Sequence, residues 1–588
     1  MPDTVLVPVI DPIRLEVLKN GFDTIADEMA LILMRTAHSP IVRDSMDFST
    51  AICDAEGRTL AQGVTTPMHL GSFYDAMRFL IARFGDGTRP NDLFIANDPY
   101  AAAGQHLPDI YIIKPLFFDG ALAGWATTLA HHADVGGIVP GSNALGATEI
   151  YQEGLRLPFL KLSEAGRPNQ AIWDIIALNV RIPDQVLGDL RAQIAACVAG
   201  EREYLDLFRR YGAAEMARYI EALHDYAERL ARAEFLDIPD GTYRFTDHLD
   251  GLGEDPAPIV FELALTIAGD SVTADWAGSS LQVAGGVNTP LPFTKAAVYT
   301  ALRSVMTADV PNCHGFTRAI TVTAPLGTVV NSVHPAPTGA RGITGYRMID
   351  CMFGALAQAL PERVAADGPG GSTLPSFGGY IDGRAFVFSE TFMGTWGATA
   401  THDGQEGVPH MGANQANVPV EMIEQSYPLR IQRYGLAPGT GGAGRHRGGH
   451  ALVRDYEFLA ETGVFSVRSD KRAFPPHGLF GGKPGRPSSN VLQTAEGTRV
   501  LPAMLTQPVT IRRGDVFRHV QASGGGYGDP LLRDAQAVRH DVEEELLSIE
   551  AARAEYGVVI VRGAGGPMVD GAATERLRAA LSKNGVPA

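Results

Sequence analysis

The sequence predicts a multi-domain α+β protein with mixed and antiparallel β-sheets, helical packing segments and a glycine-rich C-terminal part. Three observations support this class. Apolar residues recur at helical spacing in separate stretches, strand-like segments meet at short glycine turns, and glycine-rich loops crowd the region after about residue 400. At 588 residues the chain exceeds what one hydrophobic core usually serves. We therefore expect three domains, at residues 1–235, 236–400 and 401–588.

The N-terminal domain is predicted to open with a long amphipathic helix. Asp11 and Pro12 form a typical helix start, and apolar residues then recur every three or four positions until the helix ends before Pro40. Two β-hairpins are predicted next. The first covers residues 48–62, and the second joins DIYIIKPLFF to ALAGWATTLA through Asp119 and Gly120.

The predicted secondary structure changes twice along the rest of the chain. Residues 169–235 carry apolar positions at helical spacing and are predicted to be packing helices. After a boundary near residue 236, the segments PIVFELALTI, SVTADWAG and AITVTAP are strand candidates. The last part contains the loops GLAPGTGGAGRHRGGH, GLFGGKPGRP and ASGGGYGDP among short strands, followed by one helical stretch, VRHDVEEELLSIEAARAEYG.

Composition excludes several classes of function. The formal net charge is −17, and no Lys or Arg run is dense enough to follow a nucleic-acid backbone, so no nucleic-acid partner is expected. The four cysteines contain no CxxC pair, which argues against a disulfide framework or a cysteine zinc site. The N-terminal MPDTVLVPVIDP is not typical of a secretory leader, and no stretch of 18 uncharged apolar residues occurs. We expect a cytoplasmic protein without a membrane span.

The strings HLPD and AHHADVGG form a candidate metal site. His106 and Asp109 precede one strand of the second hairpin, and His131 and His132 follow the other, so all four lie at one end of the sheet. Adjacent strand residues point to opposite faces, so only one of His131 and His132 can easily join the other two. Imidazoles and carboxylates suit Zn, Mn or Fe. Alternatively, these histidines only form hydrogen bonds with backbone groups. Asp134 has two possible roles as well, since it either orients a ligand histidine or caps the turn before Gly136.

Eight strings, taken in order along nearly the whole chain, resemble the hydantoinase B/oxoprolinase family. They are SPIVRDSMDFSTAICDAEGRTLAQ, NDPYAAAGQHLPDIYIIKP, AHHADVGGIVPGS, IYQEGLRLP, PVEMIEQSYPLRIQRYGL, GAGRHRGG, GLFGGKPG and ASGGGYGDP. That family supplies one subunit or domain of ATP-dependent cyclic-amide hydrolases, namely hydantoinases, oxoprolinases and caprolactamases. It also supplies a subunit of the acetone and acetophenone carboxylases.

The resemblance implies a set of site residues. The metal ligands it implies are Asp44, His106, Asp109 and His131. We expect His132 and Asp134 to be the catalytic residues, with His132 near the substrate. The implied cofactor is a divalent Zn, Mn or Fe ion. Glu153 and Arg156 in YQEGLRLP either line a pocket, as the family motif favours, or pair with each other.

The chain also departs from the family pattern. Many relatives have Glu where this chain has Asp44, and an HGGTH-like run where it has AAAGQH. PNCHG replaces the common PNNxG and leaves the roles of Cys313 and His314 open.

No nucleotide-binding motif is recognisable in the sequence. A GxxxxGK[ST] string is absent, the GTGGAG string lacks the preceding strand and following helix of a dinucleotide loop, and DVGG is followed by Ile138 instead of a hydroxyl residue. The resemblance implies that an A-type, actin-like ATPase subunit phosphorylates the substrate. We therefore expect a hetero-oligomeric hydrolase in which this chain opens a cyclic amide. The alternatives are a subunit of an ATP-dependent ketone carboxylase, or a noncatalytic scaffold for the ATPase.

Overall fold

The computed structural model describes residues 10–63, 66–370, 373–563 and 565–584. The first nine residues, on which the expectation about a leader depends, lie outside this part. Helices α1 to α13 of the described residues span, in order, Pro12–Thr36, Pro40–Arg43, Ser72–Phe84, Gln170–Asn179, Pro183–Tyr211, Ala213–Leu236, Leu291–Ser304, His314–Thr317, Arg341–Leu356, Val420–Ser426, Ala535–Glu543, Ile549–Tyr556 and Gly571–Asn584.

The strands belong to five sheets. Strands β1 to β22 of the described residues span, in order, Phe48–Asp54, Thr59–Gln62, Leu93–Ala96, Asp109–Phe118, Ala121–His131, Leu160–Glu164, Arg167–Pro168, Gly241–Leu249, Ile259–Ala268, Ser271–Asp275, Ile320–Thr323, Leu374–Ile381, Arg384–Ser389, Leu429–Ala437, Ala451–Phe458, Thr462–Arg468, Ser489–Thr494, Gly497–Val500, Val509–Arg512, Val516–Val520, Ile560–Gly563 and Gly566–Val569. The predicted α+β class is confirmed.

The largest sheet carries the predicted site. Its seven antiparallel strands have the order β2-β1-β5-β4-β3-β6-β7. Both predicted hairpins are present. In the β4–β5 hairpin, Asp119 and Gly120 have φ of 48° and 82°, the left-handed conformations that a tight two-residue turn requires. The register then pairs Asp109 with His131 at the far end of the same hairpin.

The predicted helices form and cover this sheet. Asp11 caps α1 by accepting a hydrogen bond from the Ile13 N–H, and residues 169–235 form α4, α5 and α6. Helix α5 packs on α1 and on the β4–β5 hairpin. A single cluster of buried apolar residues runs from Leu15 to Met504 and so crosses the boundaries near 235 and 400. The domain division itself stays a prediction.

The remaining sheets are smaller. Strands β11-β10-β9-β8 form a sheet in which only β10 and β11 run parallel, and α9 packs across it. Strands β13-β12-β16-β19 and β14-β15-β20-β17-β18 form two antiparallel sheets with a separate aromatic-rich core. The pair β21–β22 completes the C-terminal unit.

The three glycine-rich loops pack against one another through their backbones. The Gly442 N–H donates to Gly524 O and the Gly526 N–H donates to Lys483 O, both at 2.9 Å. A Cβ atom built on Gly448 would overlap the Gly524 carbonyl, so the close approach requires glycine. The glycines of these loops therefore allow a close approach of the three backbone segments.

Several features differ from the sequence prediction, and helices α3, α7 and α13 are among those that it did not include. The final helical stretch is divided into α11 and α12, because Ser548 caps a new helix and Glu545 adopts a left-handed φ of 57°. Helix α9 was not predicted, since all of its residues are buried and it therefore has no polar face to create a helical pattern. None of the described helices is long and apolar enough to cross a membrane.

Candidate metal centre

Three predicted ligands converge at the end of the β4–β5 hairpin. His106 Nε2 or Nδ1, an Asp109 carboxylate oxygen and a His131 ring nitrogen all lie within 4.8 Å of one another. His106 and Asp109 are fully buried, and His131 is 4% exposed. Ligand atoms that share one ion at about 2.1 Å lie roughly 3 to 4 Å apart. The three side chains therefore need only a small contraction to bind one ion.

The tautomer of His106 is fixed by the backbone. His106 Nδ1 lies 2.8 Å from the Gly339 carbonyl oxygen, which can only accept, so Nδ1 carries the proton. In the neutral ring, Nε2 then has no proton and acts as an acceptor through its lone pair. This nitrogen lies 3.0 Å from Asp109 Oδ1. Two acceptors at this separation repel each other unless a cation lies beside both. This arrangement fits a metal ion.

The unsatisfied polar atoms support the same conclusion. His106 Nε2, Asp109 Oδ1 and His131 Nδ1 are buried and have no hydrogen-bond partner among the described residues. Buried polar atoms without partners are uncommon and costly in folded proteins. Three in one group, all of metal-binding types, are explained by an ion that they would bind together.

Charge around the group also favours the ligating forms of the three side chains. Burial pushes the pKa of Asp109 upward, but the neighbouring Arg341 and His106 outweigh it and hold the pKa well below its usual range. Burial, followed by the effect of His106, lowers the pKa of His131 well below its usual value. An ionised carboxylate and neutral imidazoles are the forms that bind metal.

The other predicted site residues lie outside this group. Asp44 is at the end of α2, where its carboxylate accepts hydrogen bonds of 2.9 and 3.0 Å from the guanidinium of Arg43. His132 points to the opposite face from His131, and its Nε2 lies 3.0 Å from Gln193 Oε1. Because the structure brings neither Asp44 nor His132 to the three ligands, their roles stay predictions.

Asp134 has a structural set of partners. Its carboxylate accepts from the N–H groups of Gly136 and Gly141 and forms an ion pair with Arg181 at 2.8 Å. The carboxylate thus organises the turn after the hairpin, as the capping alternative states, and its catalytic role stays a prediction.

Several residues beside the ligands could not be recognised from the sequence. Arg341 forms an ion pair with Asp109 Oδ2, and its guanidinium also donates to Gln105 Oε1 at 3.1 Å. His69 Nε2 lies 4.0 Å from Asp109 Oδ2. Asp47 accepts the His131 N–H through its carbonyl oxygen. Arg341 is 232 positions from Asp109, so no local spacing could have linked them.

Two of these neighbours have altered acid–base properties. Burial, followed by the charge of Asp109, raises the pKa of Asp47 to about 7. Burial lowers the pKa of His69 to about 4, and its Nδ1 lies 2.8 Å from Ser49 Oγ. His69 is therefore neutral near pH 7.

The remaining motif residues also have definite partners. Arg156 pairs with Asp98 at 2.6 Å and not with Glu153. His314 packs against Tyr74 with ring centroids 4.1 Å apart, so it does not join the metal-binding group.

Comparisons with known proteins establish the family of the chain and agree with its fold. The family model for hydantoinase B/oxoprolinase matches residues 11–530. The chain belongs to the hydantoinase B/oxoprolinase family.

Individual relatives cover nearly the full chain. The chain is 34% identical to the B-type subunit of a putative D-/L-hydantoinase of Pseudomonas sp. (strain NS671), over 94% of this chain and 95% of that one. It is also 34% identical to the beta subunit of the caprolactamase of Pseudomonas jessenii, over 97% and 99% of the two chains.

Solved structures show the same fold. The crystal structure of ATP-dependent caprolactamase from Pseudomonas jessenii superposes with a TM-score of 0.88 at 31% identity, covering 97% of this chain and all of that chain. A nucleotide-free acetone carboxylase structure gives a TM-score of 0.89 at 20% identity, with 98% of this chain and 84% of that chain covered. At that identity the second match shows the fold alone.

Proposed function

We propose that this chain is the metal-containing subunit of an ATP-dependent enzyme that opens a cyclic amide. The observation that carries the proposal is the pair of facing acceptors, His106 Nε2 and Asp109 Oδ1, with the partnerless His131 Nδ1 beside them. The names of the relatives, one from a hydantoinase and one from a caprolactamase, support a substrate of the hydantoin or lactam type.

The residues present fit a divalent Zn, Mn or Fe ion. His106, Asp109 and His131 would hold it, and Asp44 is proposed as a fourth ligand once its carboxylate leaves Arg43. A divalent ion bound there would lower the pKa of a coordinated water and polarise a carbonyl oxygen. Arg341 forms an ion pair with Asp109 Oδ2, so Oδ1, which lies beside His106 Nε2, is the oxygen that would be available to hold the ion.

ATP is proposed to be used by another subunit. No ATP-binding motif occurs in this sequence, and the names of two relatives describe them as one subunit of a larger enzyme. We propose an A-type, actin-like ATPase partner in a cytoplasmic hetero-oligomer. The partner would transfer the γ-phosphoryl group of ATP to the amide oxygen and release ADP, which weakens the amide resonance. Water directed by this chain would then add to the carbon, and the C–N bond would break as the nitrogen takes a proton. Hydrolysis of the resulting acyl phosphate by a second water would release phosphate and leave the ring-opened carboxylate.

The test uses the chain co-purified with its A-type partner. Metal content is measured by elemental analysis, and ring opening of hydantoin, 5-oxoproline and ε-caprolactam is measured with ATP. We expect about one divalent ion per chain. We also expect His106→Asn to abolish ring opening, while His540→Asn, at a largely exposed histidine, leaves it unchanged.

Two results would contradict the proposal. A complex without stoichiometric metal, whose His106→Asn variant is as active as the wild type, would instead be a scaffold for the ATPase. Turnover of a ketone with bicarbonate, without opening of any cyclic amide, would identify a carboxylase.

A further inference from the structure

Glu153 is a buried carboxylate held by backbone groups alone. Its side chain is fully buried and accepts hydrogen bonds from the Thr338 N–H at 3.0 Å and the Gly339 N–H at 2.6 Å. In the described part of the chain, no Lys, Arg or His forms an ion pair with it. Burial raises the pKa of Glu153 to about 8, so near pH 7 the side chain is mostly a neutral acid whose two oxygens are both used by N–H groups of one loop.

The loop that Glu153 holds determines the orientation of His106. The Gly339 carbonyl oxygen accepts the proton of His106 Nδ1 at 2.8 Å, and this hydrogen bond leaves Nε2 as the ligating atom. A side chain at position 339 would displace the Glu153 carboxylate or the loop, because an ideal Cβ would lie 2.9 Å from Glu153 Oε1 and 3.2 Å from the Ser142 carbonyl oxygen. The carboxylate and the glycine therefore fit each other closely.

The same loop also leads to the second ligand. The Arg341 N–H donates to the Thr338 carbonyl oxygen at 3.0 Å and closes a turn immediately before α9. The guanidinium of Arg341 then binds Asp109 Oδ2. A displacement of residues 338–339 would consequently move the partners of two ligands at once.

The position of Glu153 is itself fixed. Its N–H donates to the Ile150 carbonyl oxygen at 3.1 Å, in a short 3-10 turn over Ile150–Gln152. The Ile150 N–H donates to the Pro335 carbonyl oxygen at 2.9 Å, a second link between this turn and the same loop. The turn thus holds the segment 335–339 at two points.

We propose that Glu153 is a positioning residue that orients His106 and Asp109 for the metal through the backbone of Thr338 and Gly339. It contacts neither ligand. Both carboxyl oxygens keep a lone pair for an N–H group whether or not the acid is protonated, so the role does not depend on its charge. The inference rests on the proposed function only in requiring that the group binds metal.

The test measures Co²⁺ binding by the full-length chain after removal of metal with a chelator. In Glu153→Gln, one acceptor oxygen becomes an NH₂ group that faces a backbone N–H, so one of the two loop hydrogen bonds is lost. We expect Co²⁺ affinity to fall by about 10- to 100-fold. We also expect the visible absorption of the bound Co²⁺ to change, because the ligand geometry changes.

A matched control separates this role from general stability. Glu234 is also a buried glutamate that accepts two adjacent backbone N–H groups, those of Thr307 and Ala308, but these residues are not connected to the ligands. Glu234→Gln removes the same kind of hydrogen bond and is expected to keep wild-type Co²⁺ affinity and absorption.

A second variant covers the case in which Glu153→Gln does not fold. Gly339→Ala keeps the glutamate at position 153, but the added Cβ would press on Glu153 Oε1 and disturb the same carboxylate-to-loop contact from the loop side, so it should cause the same loss of affinity and the same spectral change. Wild-type affinity and absorption in Glu153→Gln or in Gly339→Ala would overturn the inference. Absence of Co²⁺ binding by the wild-type chain would instead overturn the proposed metal site.

Discussion

At the scale of single residues, strand geometry separates two neighbouring histidines that the sequence could not distinguish. His131 pairs with Asp109 in the β4–β5 register and faces His106, with ring centroids 5.0 Å apart. His132 points to the other face, towards Gln193 on α5. The alternation of side chains along a strand therefore favours His131 as the ligand.

Substitution of these two histidines should have different effects on metal binding. Loss of a residue that only supports a metal ligand typically lowers metal affinity by about 10- to 100-fold. Because His131→Ala removes a ligand itself, we expect it to lower metal affinity by at least about 100-fold. We expect His132→Asn to keep metal affinity within a few-fold of the wild type. Competition with a chelator measures both affinities. The reverse ranking would assign the ligand to His132.

At the scale of elements, helix α9 connects the candidate metal centre to the buried core. Arg341 at its first turn reaches Asp109, and Arg347 and Asp350, further along, enter a buried network of charges with Asp470. Gly345 lies between these two regions, against Met68 and Phe293. The close contact at Gly345 sets how near α9 can approach its neighbours.

Gly345→Ala should destabilise the protein although alanine is the better helix former. The gain in helix propensity is about 1 kcal/mol. However, the added Cβ would lie 2.5 Å from Phe293 Cε1 and would also overlap Met68 Cε, and overpacking of this kind costs about 1 to 3 kcal/mol. We expect a net loss of about 1 kcal/mol in the free energy of unfolding, measured with urea.

Gly435→Ala provides the control for this experiment. Gly435 lies on β14, and nothing stands within 4 Å of a Cβ built there. Its alanine variant should unfold at the same urea concentration as the wild type or a higher one. A Gly345→Ala variant more stable than the wild type would show that α9 can move to accept the methyl group.

At the scale of the whole molecule, buried charges make stability depend on pH. His477 Nδ1 lies 3.1 Å from Asp367 Oδ2, in a region that also contains Asp247, Asp350 and Lys471. Burial lowers the pKa of His477, but Asp367 and the other carboxylates outweigh it and raise the pKa to about 9. About a third of the side chain is exposed, at 33%, so solvent weakens the effect.

The sign of this shift predicts a loss of stability at alkaline pH. Because the folded state binds the His477 proton more tightly than the unfolded state, the stabilisation is complete below about pH 6.5 and is lost as the pH rises to about 9. Asp470, whose pKa is raised mainly by burial to about 8, acts in the same direction. Urea midpoints at pH 6.5 and 9 should show a smaller decrease in His477→Asn than in the wild type. Equal decreases would contradict this assignment.

The sequence by itself determined the features that depend on local pattern. The capped helix at Asp11 and the two hairpins follow from spacing and turn residues. The same pattern brings His106, Asp109 and one of His131 and His132 to one end of the sheet, and the family resemblance selects His131. Family membership follows from strings spread along the chain. Only the tertiary structure decided what surrounds the ligands. Arg341 on α9 reaches Asp109 across 232 positions, and Glu153 reaches Gly339, in the loop before α9, across 186 positions. The hydrophobic periodicity of a short sequence segment cannot predict such contacts, because they form between elements that are distant in the chain.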